Sequence, residues 1–101
     1  MNTLDVTFVR VYLTESEDVL EELLGHLHDE EKVQGVTVFR GISGFGKSGK
    51  MHAASLMDIS LDLPLVVEFF EVPDKTNLIR EHILRMVETG HIDCRSGTLV
   101  V

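Results

Sequence analysis

The chain reads as an α+β domain of order βαββαβ, the ferredoxin-like split arrangement, on three observations. Apolar patterns of period two and of helical period alternate in that order, glycine and proline separate them, and one long polar segment divides the second strand from the third. In this arrangement two helices cover one face of a four-stranded antiparallel sheet whose first and third strands are central. The 101 residues, 44% of them hydrophobic, suit a single domain over 1–101 with a modest core and exclude a disordered chain.

Residues 5–13 form the first strand, with Val9, Val11 and Leu13 on one face and Phe8, Arg10 and Tyr12 on the other. Thr14 and Glu17 then make a capping box that opens a helix with Val19, Leu20, Leu23, Leu24 and Leu27 at helical spacing. Gly35 breaks the chain before a β-branched strand over 36–40, and a long polar loop is expected over 41–62. Residues 63–72 form a strongly apolar strand, in which Pro64 is tolerable only near the start. Pro73 and Asp74 open the second helix, with Leu78, Ile79, Ile83, Met86 and Val87 as its stripe and Gly90 just past its C-terminus. The final strand covers 92–101, with an interruption expected near Ser96 and Gly97.

The sheet face without helices needs a partner. Arg10 and Glu68 fall there on neighbouring strands, within reach of an ion pair, amid Phe8, Tyr12, Val66 and Phe70. Such a surface is too apolar for water, so self-association through it, most simply as a ring, is the economical solution.

Net charge is −8, and it is unevenly spread. Residues 1–31 carry one basic and nine acidic side chains, whereas 32–57 carry Lys32, Arg40, Lys47 and Lys50 with no acid. The acidic body repels nucleic acid and anionic lipid, and the one positive segment is either a solvated loop or an anion site. No apolar run approaches the ~18 residues of a membrane span, which argues against membrane insertion. The first residues lack a signal peptide's basic and apolar regions, and the single cysteine, Cys94, cannot form an internal disulfide. A cytoplasmic protein is expected.

Residues 41–48, Gly-Ile-Ser-Gly-Phe-Gly-Lys-Ser, match the phosphate-loop pattern G-x-x-x-x-G-K-[ST]. A phosphate-loop ATPase requires a helix starting at the lysine, but Gly49 occupies the first turn of that helix. It also needs several βαβ units of about 30 residues and a strand ending in an acid that serves Mg²⁺. The chain barely accommodates the first requirement, and Glu68 sits in mid-strand. The hydrolase is therefore the weakest functional reading. Phe45 is either a packed anchor or a platform for a base, packing being the commoner role of a lone aromatic.

The chain resembles the PII-like proteins, specifically the bacterial and archaeal group called domain of unknown function 190. The resemblance rests on Arg40-Gly41-Ile42, Gly44-Phe45-Gly46, Gly49, Lys50 and His52. It continues through Ala54-Ser55-Leu56 and the run from Ser60 through Pro64 to Glu68, and so covers essentially the whole chain. It implies a ferredoxin-like homotrimer in which 41–62 corresponds to the mobile T-loop, whose base binds ATP or ADP between subunits in PII proteins. Carried over by motif, Gly44, Phe45, Gly46 and Lys47 resemble the PII Gly-Phe-Gly-basic sequence, and Thr89 and Gly90 the start of its second nucleotide-binding turn. Arg40, Gly41, Lys50 and Arg95 complete the candidate anion or nucleotide site, Arg95 being the nearest basic substitute for the phosphate-gripping PII lysine that the second turn lacks. Three departures stand out. Ser48 replaces the PII glutamine, no loop tyrosine is available for uridylylation, and the C-terminal PII arginines have no counterpart.

The implied function is a non-catalytic regulator, not an enzyme, with ATP, ADP or AMP as regulatory ligand and a protein partner such as a membrane transporter. The alternative is a metal-responsive trimer resembling copper-tolerance proteins. His26 and His28 face different directions on a helix, and no His-x-x-x-His or Cys-x-x-Cys spacing occurs. Such a trimer would therefore assemble its ligands across subunits from His52, His82 or His91. Cys94 reads as a small core residue.

Overall fold

The computed structural model describes residues 2–15, 17–46, 49–53, 62–88 and 90–101. In chain order the elements are β1 (Thr3–Thr14), α1 (Leu20–Gly25) continued by a π-helical turn (His26–Glu30), and β2 (Gly35–Arg40). There follow β3 (Ser43–Phe45), β4 (Met51–Ala53), β5 (Pro64–Glu71), α2 (Pro73–Ile83) and β6 (Ile92–Val100). The main sheet has the order β2-β5-β1-β6 with every pair antiparallel, so the first and third long strands are central, as expected.

Register explains the core. Val9 pairs with Phe69, Val11 with Val67 and Leu13 with Leu65, which stacks the apolar alternation of β1 and β5 on one face. Leu23, Leu27, Ile79 and Ile83 close over that face, all fully buried in the same cluster. Val19, Leu20, Leu24, Met86 and Cys94 pack at its margin, so the cysteine is a partly buried packing residue. Among the described residues no helix is long and apolar enough to cross a membrane.

The opposite face carries the alternate residues. Arg10 Nε donates to Glu68 Oε2 at 2.6 Å, and the Phe8 and Phe70 rings meet at 5.7 Å. Hydrogen bonding to Glu68, and then its charge, hold the Arg10 guanidinium above its ordinary pKa. Tyr12 and Phe39 share this face and are 40% and 51% exposed.

Five local expectations are corrected. The capping box does not form: α1 begins at Leu20 with Val19 at its N-cap and no side-chain cap, while Glu17 N donates to Thr14 O in a separate turn. On α2 the stripe narrows to Ile79 and Ile83, continued by Val87, because Leu78 lies about 100° round the helix and is exposed. The helix also ends at Ile83, well before Gly90, whose φ of +90° serves the later turn into β6. β6 runs unbroken through Gly97, where a Cβ would stand 2.4 Å from Phe8 Cε2, so this glycine admits the ring instead of interrupting the strand. Finally, the described part of 41–62 is not all loop, since β3 and β4 pair as a two-stranded ribbon.

Candidate functional site

The glycine-rich segment is positioned by Pro64 at the start of β5. Gly41 N donates to Pro64 O at 2.7 Å, and a Cβ on Gly41 would lie 2.8 Å from Pro64 Cγ, so only glycine passes this point without displacement. Gly44 continues beside the same proline and pairs with His52, and Phe45 pairs with Met51. Gly49, at φ +74°, donates to Gly46 O at 2.9 Å and closes the ribbon. The chain thus enters β4 where a phosphate loop would begin its helix, which removes the geometry that the hydrolase reading needs. Phe45 is 70% exposed, so it does not pack into the chain's own core. Lys50 follows the turn at Gly49 and is exposed, while Lys47 lies outside the described residues.

Arg40 closes β2 and forms an ion pair with Glu15. The contact is one of charge without hydrogen-bond direction, since among the described residues the buried Glu15 Oε1 finds no hydrogen-bond partner. Glu15 is anchored in turn, its N–H donating to Leu63 O at 2.9 Å. A surface depression of about 420 Å³ is lined by Glu15, Leu20, Val38, Arg40 and Leu65.

The other half of the expected site lies elsewhere. Gly90 borders a groove of about 360 Å³ between α2 and β6, with Asn77, Arg80, Leu84, Ile92 and Cys94. Thr89 falls outside the described residues. Arg95 does not stand at this turn: it is three residues into β6, about 10 Å along the strand, opposite Phe8. Its Nε donates to Asp93 Oδ2 at 2.9 Å. Arg40 and Gly41 therefore belong to one edge of the sheet and Gly90 and Arg95 to the other, across three strand spacings or roughly 14 Å. Gly41 and Gly90 nevertheless occupy the same end of the sheet, because Gly41 N bonds Pro64 O, Pro64 pairs with Thr14, and Tyr12 N bonds His91 O.

A separate cluster was not legible in the sequence. Glu31 Oε2 lies 2.7 Å from His26 Nε2 and 2.5 Å from His82 Nδ1, linking the π-turn to α2. Burial alone would raise the pKa of the Glu31 carboxyl, but the hydrogen bonds from His82 and His26 hold it below its ordinary range. Only His82 of the three expected histidine ligands takes part. His91 stands before β6, and His52 pairs along β4 with Gly44. The signal was hidden because residues five apart are not neighbours on an α-helix. The π-turn, in which Glu31 N donates to His26 O, makes them so.

A UPF0166 protein of Aquifex aeolicus (strain VF5) is 33% identical over 75 residues, covering 73% of this chain and 76% of its own. Among solved structures, CPII of Thiomonas intermedia K12, a nitrogen regulatory PII-like protein bound to ADP, AMP and bicarbonate, superposes with a TM-score of 0.69. Its identity is 18%, with 99% of this chain and 91% of CPII covered. CutA1 from Oryza sativa gives a TM-score of 0.62 at 15% identity, with 98% and 84% covered. At these identities the structural likeness establishes a shared PII-like fold. The family model of domain of unknown function 190, described as an uncharacterized ACR, matches residues 6–96. With nearly all of its length inside that match, the chain belongs to the DUF190 family.

Proposed function

We propose that the protein is a non-catalytic, cytoplasmic PII-like regulator that forms a homotrimer and binds an adenine nucleotide in the clefts between subunits. The observation that carries this reading is the division of the candidate site. Gly41 stands at one edge of the sheet, with Gly44 beside the same Pro64, and Gly90 stands at the other edge, at the same end. A ring that brings the β2 edge of one subunit to the β6 edge of the next unites halves that a single chain keeps apart. The uncovered face with Tyr12 and Phe39 supplies apolar surface for the same assembly. CPII, which shares the fold, is a nitrogen regulatory protein bound to ADP, AMP and bicarbonate. Nucleotide binding would order the segment 41–62 and change its contact with a protein partner, for example a membrane transporter.

Calorimetric titration with ATP, ADP, AMP and cyclic nucleotides is the test. Saturable heat with at least one of them is expected, and no heat with any removes the nucleotide from the reading. Replacing both Lys47 and Lys50 by alanine should weaken binding about tenfold or more if these charges meet phosphate. A metal-responsive trimer is the second reading, favoured by the fold shared with CutA1. Metal analysis of protein purified without an affinity tag, repeated on His52→Ala and His91→Ala, separates the two, because only a metal lost in these variants speaks for ions held between subunits.

A further inference from the structure

The donor atoms between the π-turn and α2 have no part in the subunit-edge site. His26, Glu31 and His82 each offer a donor atom within 4.8 Å of the other two, and Glu31 Oε2 stands 2.7 Å from His26 Nε2 and 2.5 Å from His82 Nδ1. We propose that these three atoms form an intrachain site for a divalent transition-metal ion of the Zn²⁺ type, pinning the π-turn to α2. This site holds whichever ligand occupies the subunit clefts.

Four features point to a metal. Two imidazoles and one carboxylate form a donor set that suits Zn²⁺ or Co²⁺, whereas Mg²⁺ and Ca²⁺ favour oxygen alone. The second nitrogen of His26, Nδ1, lies 3.2 Å from Glu30 Oε2. On binding of an ion, a carboxylate on the far side of the imidazole accepts from the ring's far nitrogen, which orients the ring and frees the near nitrogen as ligand. The two rings stand edge to face with centroids 6.0 Å apart. Zn–N bonds of about 2.0–2.1 Å place two ligating ring centres roughly 5–6 Å apart, so neither ring must turn away. Burial is graded: the Glu31 and His26 side chains are 12% and 17% exposed, and His82 is 42% exposed. The His82 side is therefore the one open to solvent, where an ion could enter and water could complete its coordination.

The metal-free arrangement is a proton-held version of the same site. A carboxylate oxygen only accepts, so each nitrogen facing Glu31 Oε2 carries a proton. On binding, each proton leaves to solvent or moves to the other nitrogen of its ring, and the ion takes its place. Ligand atoms around a tetrahedral Zn²⁺ lie about 3.3 Å apart. From 2.7 and 2.5 Å, each pair therefore opens by less than about 1 Å, within side-chain adjustment. The π-turn contributes the placement, since an α-helical turn would carry Glu31 round the axis away from His26.

The experiment uses tag-free, chelator-treated, full-length protein without nucleotide, titrated with Zn²⁺ by calorimetry and with Co²⁺ by visible absorption. One ion per chain is expected, with the intense d–d bands of four-coordinate Co²⁺ that Zn²⁺ abolishes. His26→Ala, His82→Ala and Glu31→Gln should each weaken binding about 100-fold, and Glu30→Gln about tenfold. His28→Ala, at an 88% exposed side chain outside the cluster, should change nothing. Glu31→Gln keeps shape and a hydrogen-bond acceptor, and X-ray absorption of the Zn²⁺ form counts two imidazoles without any variant. Less than one ion per chain, a shell without two imidazoles, or full affinity in Glu31→Gln overturns the proposal. Because no nucleotide is present, failure here leaves the subunit-cleft reading standing, and a failed nucleotide titration leaves this site standing.

Discussion

The two faces of the sheet are built from alternate residues of the same strands, yet they reach opposite ends of the burial scale. Val9, Val11, Val67 and Phe69 on the helix-covered face are fully buried. Their neighbours one position away include Arg10, Tyr12, Glu68 and Phe70, and across from them lies Phe39 on β2. Here the described residues supply an ion pair and an aromatic contact but no covering layer. The covered face is completed by the chain itself, through two amphipathic helices. The other carries an ion pair at its centre and partly exposed apolar side chains around it, which the proposed self-association would bury.

The difference can be broken hardest from the covered side. Phe69→Ala removes the largest fully buried side chain and should lower the unfolding free energy by about 3–5 kcal/mol, read from urea denaturation. An intermediate effect is expected from acid. Burial would raise the carboxyl pKa of Glu71, but Gln34, the Val72 N–H and Lys75 hold it below the ordinary range, and Glu31 is depressed likewise. A folded-state pKa below the unfolded value means that the unfolded chain binds more protons in between. The contribution of both groups is thus fully present above the ordinary glutamate range. It is lost as pH falls through the depressed native values. The thermal midpoint should therefore drop on acidification below about pH 4.5, and Glu71→Gln should flatten that drop. The smallest effect on the fold is expected from the open face. Phe39→Glu should leave the far-UV circular dichroism unchanged, while light scattering moves from the mass of an oligomer to that of one chain. An unchanged mass would mean that this face is not where copies meet.

Much of this architecture was legible from periodicity. The alternation over 5–13 and 63–72 assigned the two faces, and the Arg10–Glu68 pair followed once the strands were known to be adjacent. The stripe of Leu23 and Leu27 placed the first helix, although its start was misread because Thr14 and Glu17 carry the capping pattern while turning before the helix begins. Gly97 was read as a strand breaker, when its role is to make room for Phe8 from the neighbouring strand. The glycine-rich segment was singled out as a candidate site, but the ribbon within it and the pairing of Arg40 with Glu15 were not foreseen.

By itself the sequence determined the order of the elements, the faces of the central strands and the acidic body with its single basic segment, because these depend on local spacing and composition. Only the tertiary structure decided that Gly41 and Gly90 share one end of the sheet from opposite edges. It alone decided that Glu31 meets His82, 51 positions away. Repeats of two or 3.6 residues set which way a side chain faces, but what it meets there depends on how distant elements pack and on one irregular turn that no repeat announces.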